Sequence, residues 1–181
     1  MVDFGHIDLP EEELTRRVIA VFFACGGTLF YIMPPETCED IIRAVYKRRN
    51  DVTKLMVCQL CALASVGSQY SPAEIPASAK EQYFQCAFWL LNDPTVQDDP
   101  GVMRVYACLA MYLILLKSTS ARSMTRMFSI PRALLTRTVS GLNVARRMQV
   151  YSPENETEWL DRVRVLRTLV ILEWYVTSFK A

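Results

Sequence analysis

The chain has 181 residues, a length that suits one domain able to bury a core without disulfides or metal ions. Hydrophobic residues make up 51% of it, enough to leave an apolar face for a partner or ligand. The net charge of +1 excludes the strongly basic balance of an autonomous nucleic-acid binder. The first apolar run follows acidic residues, so no secretory leader is predicted, and we expect one intracellular domain spanning residues 1–181.

Apolar residues at helical spacing predict about seven helices. The first follows the acidic turn at residues 11–13 and stops at Gly26–Gly27, because glycine readily takes the left-handed C-cap conformation. An extended apolar link at 28–33 then leads to Pro34–Pro35, which prevents a helix there. In chain order, the remaining helices are predicted at 37–49, 52–66, 78–91, 99–117, 131–148 and 156–178.

Capping residues and polar stretches set the predicted boundaries. Thr37 with Asp40 resembles a capping box, and Ser78 with Glu81 forms a clearer one. The stretch 92–98 is predicted to be a polar connection. The stretch 118–129, rich in Ser, Thr and Arg, leaves open a short helical turn or a loop.

The stretch 99–117, DPGVMRVYACLAMYLILLK, is predicted to be the central helix. Asp99 can cap its start, and Lys117 suits the negative end of its dipole. No side chain between Arg104 and Lys117 is charged, so other helices or lipid must cover every face. Because residues 105–116 fall short of the roughly 20 apolar residues that a bilayer requires, we expect no membrane span. The predicted fold is all-α, an irregular antiparallel helical bundle around this helix.

Six segments of the chain match the ordered pattern of a known family. They are VFFACGGTLFYIMPP, LMVCQLCALASVGSQYS, AKEQYFQCAFWLLND, MRVYACLAMYLILLKSTSARS, GLNVARRMQVY and DRVRVLRTLVILEWYVTSF. In this order they resemble the middle homology region, the all-helical regulatory domain, of fungal binuclear zinc cluster transcription factors. The resemblance covers residues 9–179. It implies a domain that regulates transcription, for instance in secondary metabolism, by binding a small apolar metabolite or a partner helix.

Two departures from the family pattern bear on function. The cluster of six closely spaced cysteines is absent, so we expect no direct binding to nucleic acid. The last helix offers only Arg164, Arg167, Glu173 and Trp174 where many members carry adjacent Arg-Arg and Trp-Trp pairs. The chain is then either an excised part of a nuclear regulator or a free-standing relative in the cytoplasm.

Residues with catalytic or metal-binding chemistry are few. Cys58 and Cys61 have the spacing of a metal or redox pair, but a zinc site needs four ligands. They lie mid-helix among apolar residues, which favours core packing. His6 is the single histidine, and an exposed position near the terminus is a simpler interpretation than a general base assisted by Asp8. We therefore predict no metal and no cofactor.

Aromatic residues form the candidate ligand site. Their rings suit an apolar ligand, and their polar tips can orient it. The predicted lining residues are Tyr31, Trp89, Tyr106, Tyr112 and Trp174. Ordinary core packing is the alternative interpretation of the same residues.

The sequence leaves two specific functions open, beside a third option, a stabilising subunit of a larger complex. The first is a regulatory domain that binds a small apolar metabolite or a partner helix, with homodimerisation also open. The second is a free-standing helical enzyme, a cyclase or isomerase of a small apolar natural product, with Tyr, Asp, Arg or His donors in a dry chamber. A closed cavity beside the central helix is the discriminating feature. A filled core favours the interaction domain, and an open apolar face favours a partner or a dimer.

Overall fold

A computed structural model describes residues 8–48, 50–70, 74–119, 140–141, 143 and 156–178 of the chain. Within these ranges the chain forms seven α-helices and one short 3-10 turn, and no residue belongs to a β-strand. The predicted all-α fold is therefore confirmed. The helices are α1 (Glu12–Ala24), α2 (Pro35–Tyr46), α3 (Lys54–Tyr70), α4 (Ala77–Leu90), α5 (Pro94–Gln97), α6 (Val102–Thr119) and α7 (Glu156–Ser178).

Helix α3 occupies the centre of the described fold. It packs against α1, α2, α4, α5 and α6, and every residue from 57 to 68 is buried. Small residues such as Ala62, Ala64 and Gly67 allow neighbouring helices to approach it closely. A Cβ atom at Gly67 would overlap the carbonyl oxygen of Val18 on α1.

The predicted central position of residues 99–117 is not confirmed. Helix α6 packs mainly against α3 and α7, and its residues 113–116 are only partly buried. It begins at Val102 instead of Asp99, whose side chain accepts a hydrogen bond from the Gly101 N–H at 2.7 Å. No described helix is long and apolar enough to cross a bilayer.

Several predicted helix boundaries were wrong. Helix α2 begins at Pro35, since proline fits the first turn of a helix, and neither α2 nor α4 has a side-chain cap. The predicted capping boxes of Thr37 and Ser78 therefore do not form. The polar connection contains α5, which is capped by Asp93 through a hydrogen bond from the Thr95 N–H at 3.0 Å. Most of the predicted helix at 131–148 and of the stretch 118–129 lies outside the described residues, as does His6.

Gly26 ends α1 for a different reason from the one predicted. No described glycine has a positive φ, so the predicted left-handed C-cap is wrong. The chain instead tightens into a 3-10 turn, in which the Leu29 N–H donates to the Gly26 carbonyl at 3.1 Å. A Cβ atom at Gly26 would lie 2.8 Å from the Tyr70 hydroxyl oxygen, so the turn packs closely against the end of α3.

A chain of hydroxyl groups holds α1, α2 and α4 together. The Tyr46 hydroxyl donates to the Pro10 carbonyl at 2.6 Å, and Thr15 Oγ1 lies 2.5 Å from Tyr46 and 2.7 Å from the Tyr83 hydroxyl. Each hydroxyl has one proton, so Thr15 must donate to Tyr46 and Tyr83 must donate to Thr15. These bonds place the start of α1 beside the end of α2, and the two helices run antiparallel.

The direction of this hydroxyl chain gives a stability prediction. We expect Thr15→Val to lower the free energy of unfolding by about 1.5 kcal/mol, because it leaves the buried Tyr83 hydroxyl without an acceptor. Tyr83→Phe removes only a donor and should cost about 1 kcal/mol or less. Urea unfolding monitored by circular dichroism gives both values. A larger loss for Tyr83→Phe than for Thr15→Val would contradict the assigned direction.

Candidate functional site

Two of the five predicted aromatic site residues lie on the surface. Trp89 on α4 is 62% exposed, and Trp174 on α7 is 66% exposed. The Trp174 ring meets the edge of Tyr175, with ring centroids 5.1 Å apart. Neither tryptophan lines the groove described below.

Tyr106 and Tyr112, two further members of the predicted set, belong to α6 and are buried. The Tyr112 ring stacks on Phe84 of α4 with centroids 4.9 Å apart and planes 17° from parallel. The Tyr106 ring occupies the space that a Cβ atom at Gly141 would need. Both rings therefore pack within the core of the described fold, and neither lines the groove between α1 and α2 that is described below.

Tyr31 belongs to a polar cluster that joins the segment before α2 to α6 and α7. Its hydroxyl donates to Asp161 Oδ1, and its backbone N–H donates to Thr168 Oγ1 at 3.0 Å. Arg104 Nη2 donates to the second carboxylate oxygen, Asp161 Oδ2, at 2.6 Å. The Arg164 guanidinium lies 5.5 Å from the centroid of the Tyr31 ring, within the range of a cation–π contact.

The chemistry of this cluster is that of a structural tie. Burial, and next the hydrogen bond to Asp161, raise the pKa of Tyr31 to about 12, so the phenol keeps its proton at neutral pH. Both oxygens of Asp161 are engaged by Tyr31 and Arg104. Arg104 Nε is buried and has no hydrogen-bond partner among the described residues. The cluster therefore links the segment before α2 to α6 and α7 through one shared carboxylate.

A groove between α1 and α2 is a concave feature of the part of the chain that the structure describes. It has a volume of about 380 Å³, is open to solvent, and its surface is mostly apolar. One wall comes from α1 and the other from α2. The lining residues are Arg16, Ile19, Ala20, Phe23, Pro35, Glu36, Cys38, Glu39 and Ile42.

Ion pairs fix the polar end of this groove. Arg16 bonds to Glu12 at 2.7 Å and to Glu39 at 2.5 Å, which links α1 directly to α2. The hydrogen bonds to Glu39 and Glu12 raise the pKa of Arg16, and the Arg16 bond holds the pKa of Glu39 below its usual range. Arg43 adds a longer contact to Glu39, at 3.4 Å. The exposed carboxylate of Glu36 forms no ion pair with a described residue.

Comparisons with protein-family models, with curated proteins and with solved structures find no match for this chain. The resemblance to the fungal regulatory domain thus stays a prediction. The geometry of the groove and of the Tyr31 cluster is the basis for assigning a function.

The cysteines contribute packing to this fold. All six are free thiols, and Cys58 donates a hydrogen bond to the Ala87 carbonyl at 3.4 Å. Burial raises the pKa of Cys58, and the pKa of Cys61 is also raised, so both remain protonated in the core. Across the described ranges, no three His, Cys, Asp or Glu side chains are grouped to hold a metal ion.

No pattern in the sequence predicted the groove between α1 and α2. Its α1 wall depends on Ile19 and Phe23, which lie beside the core-facing residues Val18 and Phe22. Phe22 is buried in the core, whereas Phe23, about 100° further around the helix, is only partly buried and also lines the groove. Helix α1 therefore carries a wider apolar stripe than core packing needs. This width is the sequence feature that indicates a second apolar face on α1.

Proposed function

We propose that this chain is a regulatory binding domain of the fungal transcription-factor type, which lacks a DNA-reading module and recognises an apolar partner or ligand in the α1–α2 groove. The open groove of about 380 Å³ is the observation that supports the proposal. Its volume lies within the range of about 300–1,000 Å³ that is common for binding sites. Its apolar floor supplies affinity, and the charged end supplies orientation.

The groups in the groove favour binding over catalysis. Burial raises the pKa of the Cys38 thiol to about 12, so it is not a thiolate nucleophile at neutral pH. Arg16 and Glu39 are already paired with each other. The alternative function, a cyclase or isomerase, would depend on the Tyr31 cluster, where Asp161 already accepts hydrogen bonds from Tyr31 and Arg104.

The groove can be blocked by one substitution. Ala20 is exposed on the groove wall, and Ala20→Phe would place a ring inside it. We expect this change to weaken binding of the neutral apolar dye Nile red about tenfold. That factor corresponds to about 1.4 kcal/mol, the loss of roughly 55 Å² of apolar contact. Fluorescence titration of the folded chain measures the affinity.

Ala77→Phe is the control. Ala77 is an exposed alanine at the start of α4 and does not line the groove. It adds the same apolar surface, so the dye affinity should stay within about twofold of the parent. If both variants change the affinity equally, the dye binds elsewhere and the proposed function loses its site.

A further inference from the structure

The two walls of the groove are helical stripes of matching length. The α1 wall repeats at i, i+3, i+4 and i+7, and so does the α2 wall. The α1 stripe is Arg16, Ile19, Ala20 and Phe23, and the α2 stripe is Pro35, Cys38, Glu39 and Ile42. Each stripe spans two turns, about 10 Å at 1.5 Å per residue. These two rows of side chains lie side by side along the groove. The side chains of a third helix can interdigitate with them.

The groove is too open for a small molecule to be its best occupant. Small-molecule sites commonly enclose about 70–90% of the ligand surface. This groove faces solvent along its length, so a ligand in it would keep one whole side wet. A helix satisfies its own backbone hydrogen bonds and tolerates a solvated outer face, and it needs burial only for one apolar stripe. The shape therefore favours a helix over a metabolite.

The charge around the groove indicates the charge that a partner should carry. Helices α1 and α2 carry five carboxylates and three arginines, which leaves a net charge of −2. The arginines Arg16 and Arg43 are held by Glu12, Glu39 and Asp40. Glu36 lines the groove and forms no ion pair with a described residue, so it presents an unneutralised carboxylate to an occupant. A cationic flank on the partner complements this surface.

We propose that the α1–α2 groove docks an amphipathic helix of a partner protein, with apolar anchors at i, i+3, i+4 and i+7 and Lys or Arg beside them. This inference rests on the proposed function and names the partner class for the same site. The anchors contact Ala20, Phe23 and Pro35, the apolar lining residues that have exposed surface, and a cationic side chain pairs with Glu36. The carboxylate end of the groove fixes the direction of the docked helix.

Two synthetic peptides test the partner class. The first is a helical peptide of about 14 residues with leucine at the four anchor positions and lysine at the flanks, and the second carries glutamate in place of lysine. We expect the lysine peptide to bind the full chain at least tenfold more tightly at low salt. Ala20→Phe should weaken this binding about tenfold, whereas Ala77→Phe should leave it within about twofold.

A charge reversal makes the test specific to the groove. Glu36→Lys should weaken the lysine peptide and strengthen the glutamate peptide, each about threefold, as expected for one exposed ion pair. Glu81→Lys, at an exposed position on α4, is the matched control and should change both affinities less. Equal binding of the two peptides, or equal effects of the two reversals, overturns the cationic-helix proposal.

The two proposals fail differently. If neither peptide binds while Nile red binding still responds to Ala20→Phe, the partner class is wrong and the groove remains the recognition site. If a peptide binds but Ala20→Phe leaves its affinity unchanged, the groove is not its docking site, and the inference is overturned. Insensitivity of Nile red to Ala20→Phe removes the proposed function itself.

Discussion

Gly67→Ala is expected to lower the free energy of unfolding by about 3 kcal/mol, the upper part of the range for overpacked cores. The added Cβ atom would overlap the Val18 carbonyl oxygen and lie 3.0 Å from Val18 Cγ1. The obstacle is backbone, so α1 must move away from α3 to accommodate the methyl group. Alanine is more favourable than glycine in a helix by about 1 kcal/mol. This gain offsets only part of the cost of the overlap. Urea unfolding gives the change from the midpoint and slope.

Gly27→Ala is the control for this substitution. A Cβ atom at Gly27 would lie 3.2 Å from Phe23 Cδ1, the edge of a side chain that can shift. We expect a loss below about 1 kcal/mol. If Gly67→Ala is as mild as Gly27→Ala, the close crossing of α1 and α3 described above is incorrect.

Asp161→Ala is the second substitution with a large expected effect, a loss of about 3 kcal/mol. Its carboxylate accepts hydrogen bonds from both Tyr31 and Arg104, and it lies with Arg104 in partly buried surroundings. The side chains of Arg104 and Asp161 are only 20% and 19% exposed. Removing the anion leaves a guanidinium without its counter-charge and a phenol without its acceptor, and losses of about 3–5 kcal/mol are typical of buried pairs. Thermal and urea unfolding measure the change.

Two further variants separate this tie from ordinary surface charge. Asp40→Ala also removes a carboxylate paired with an arginine, but Asp40 is 73% exposed, so its loss should stay below about 0.5 kcal/mol. The double variant Asp161→Ala with Arg104→Met should lose less than the sum of the single changes, because it removes the unpaired charge too. Additive effects would show that the two side chains do not interact.

Apolar residues at helical spacing predicted the all-α fold class, most clearly in α1 and α2, whose buried residues recur on one face. This spacing did not identify the central helix. The uncharged run of α6 is the most hydrophobic stretch, whereas α3 owes its central position to small residues, which let neighbouring helices approach closely. Residue size at helix crossings such as Gly67 is a property of pairs of helices. A single-sequence pattern carries little information about it.

Local competition explains the wrong boundaries. Proline at 35 provides a better first turn than the Thr37 capping box, so α2 begins earlier than predicted. Asp93 followed by Pro94 has the pattern of a capped helix start, yet α5 is only four residues long and produces no periodicity. Gly26 lies close to the Tyr70 hydroxyl, a contact between residues distant in sequence that no local rule anticipates.

The candidate site was harder to predict than the fold because its contacts are distant in sequence. Tyr31 was selected for its polar tip, but its partner Asp161 lies 130 positions away. The groove forms where a stripe of residues on α1 meets a stripe on α2. The sequence patterns identified only the core-facing residues beside these stripes. The Phe22–Phe23 pair was the local sign of this second apolar face.

Isoleucine methyl NMR of the folded chain during titration with indole tests most directly whether the α1–α2 groove is the recognition surface. Indole resembles a tryptophan anchor, and its ring current shifts the methyl groups that it contacts. We predict saturable shifts of the Ile19 and Ile42 methyl groups, which line the groove, with little change at Ile171 on α7. Ala20→Phe should abolish these shifts. Saturable shifts at Ile171 with none at Ile19 or Ile42 would contradict the assignment.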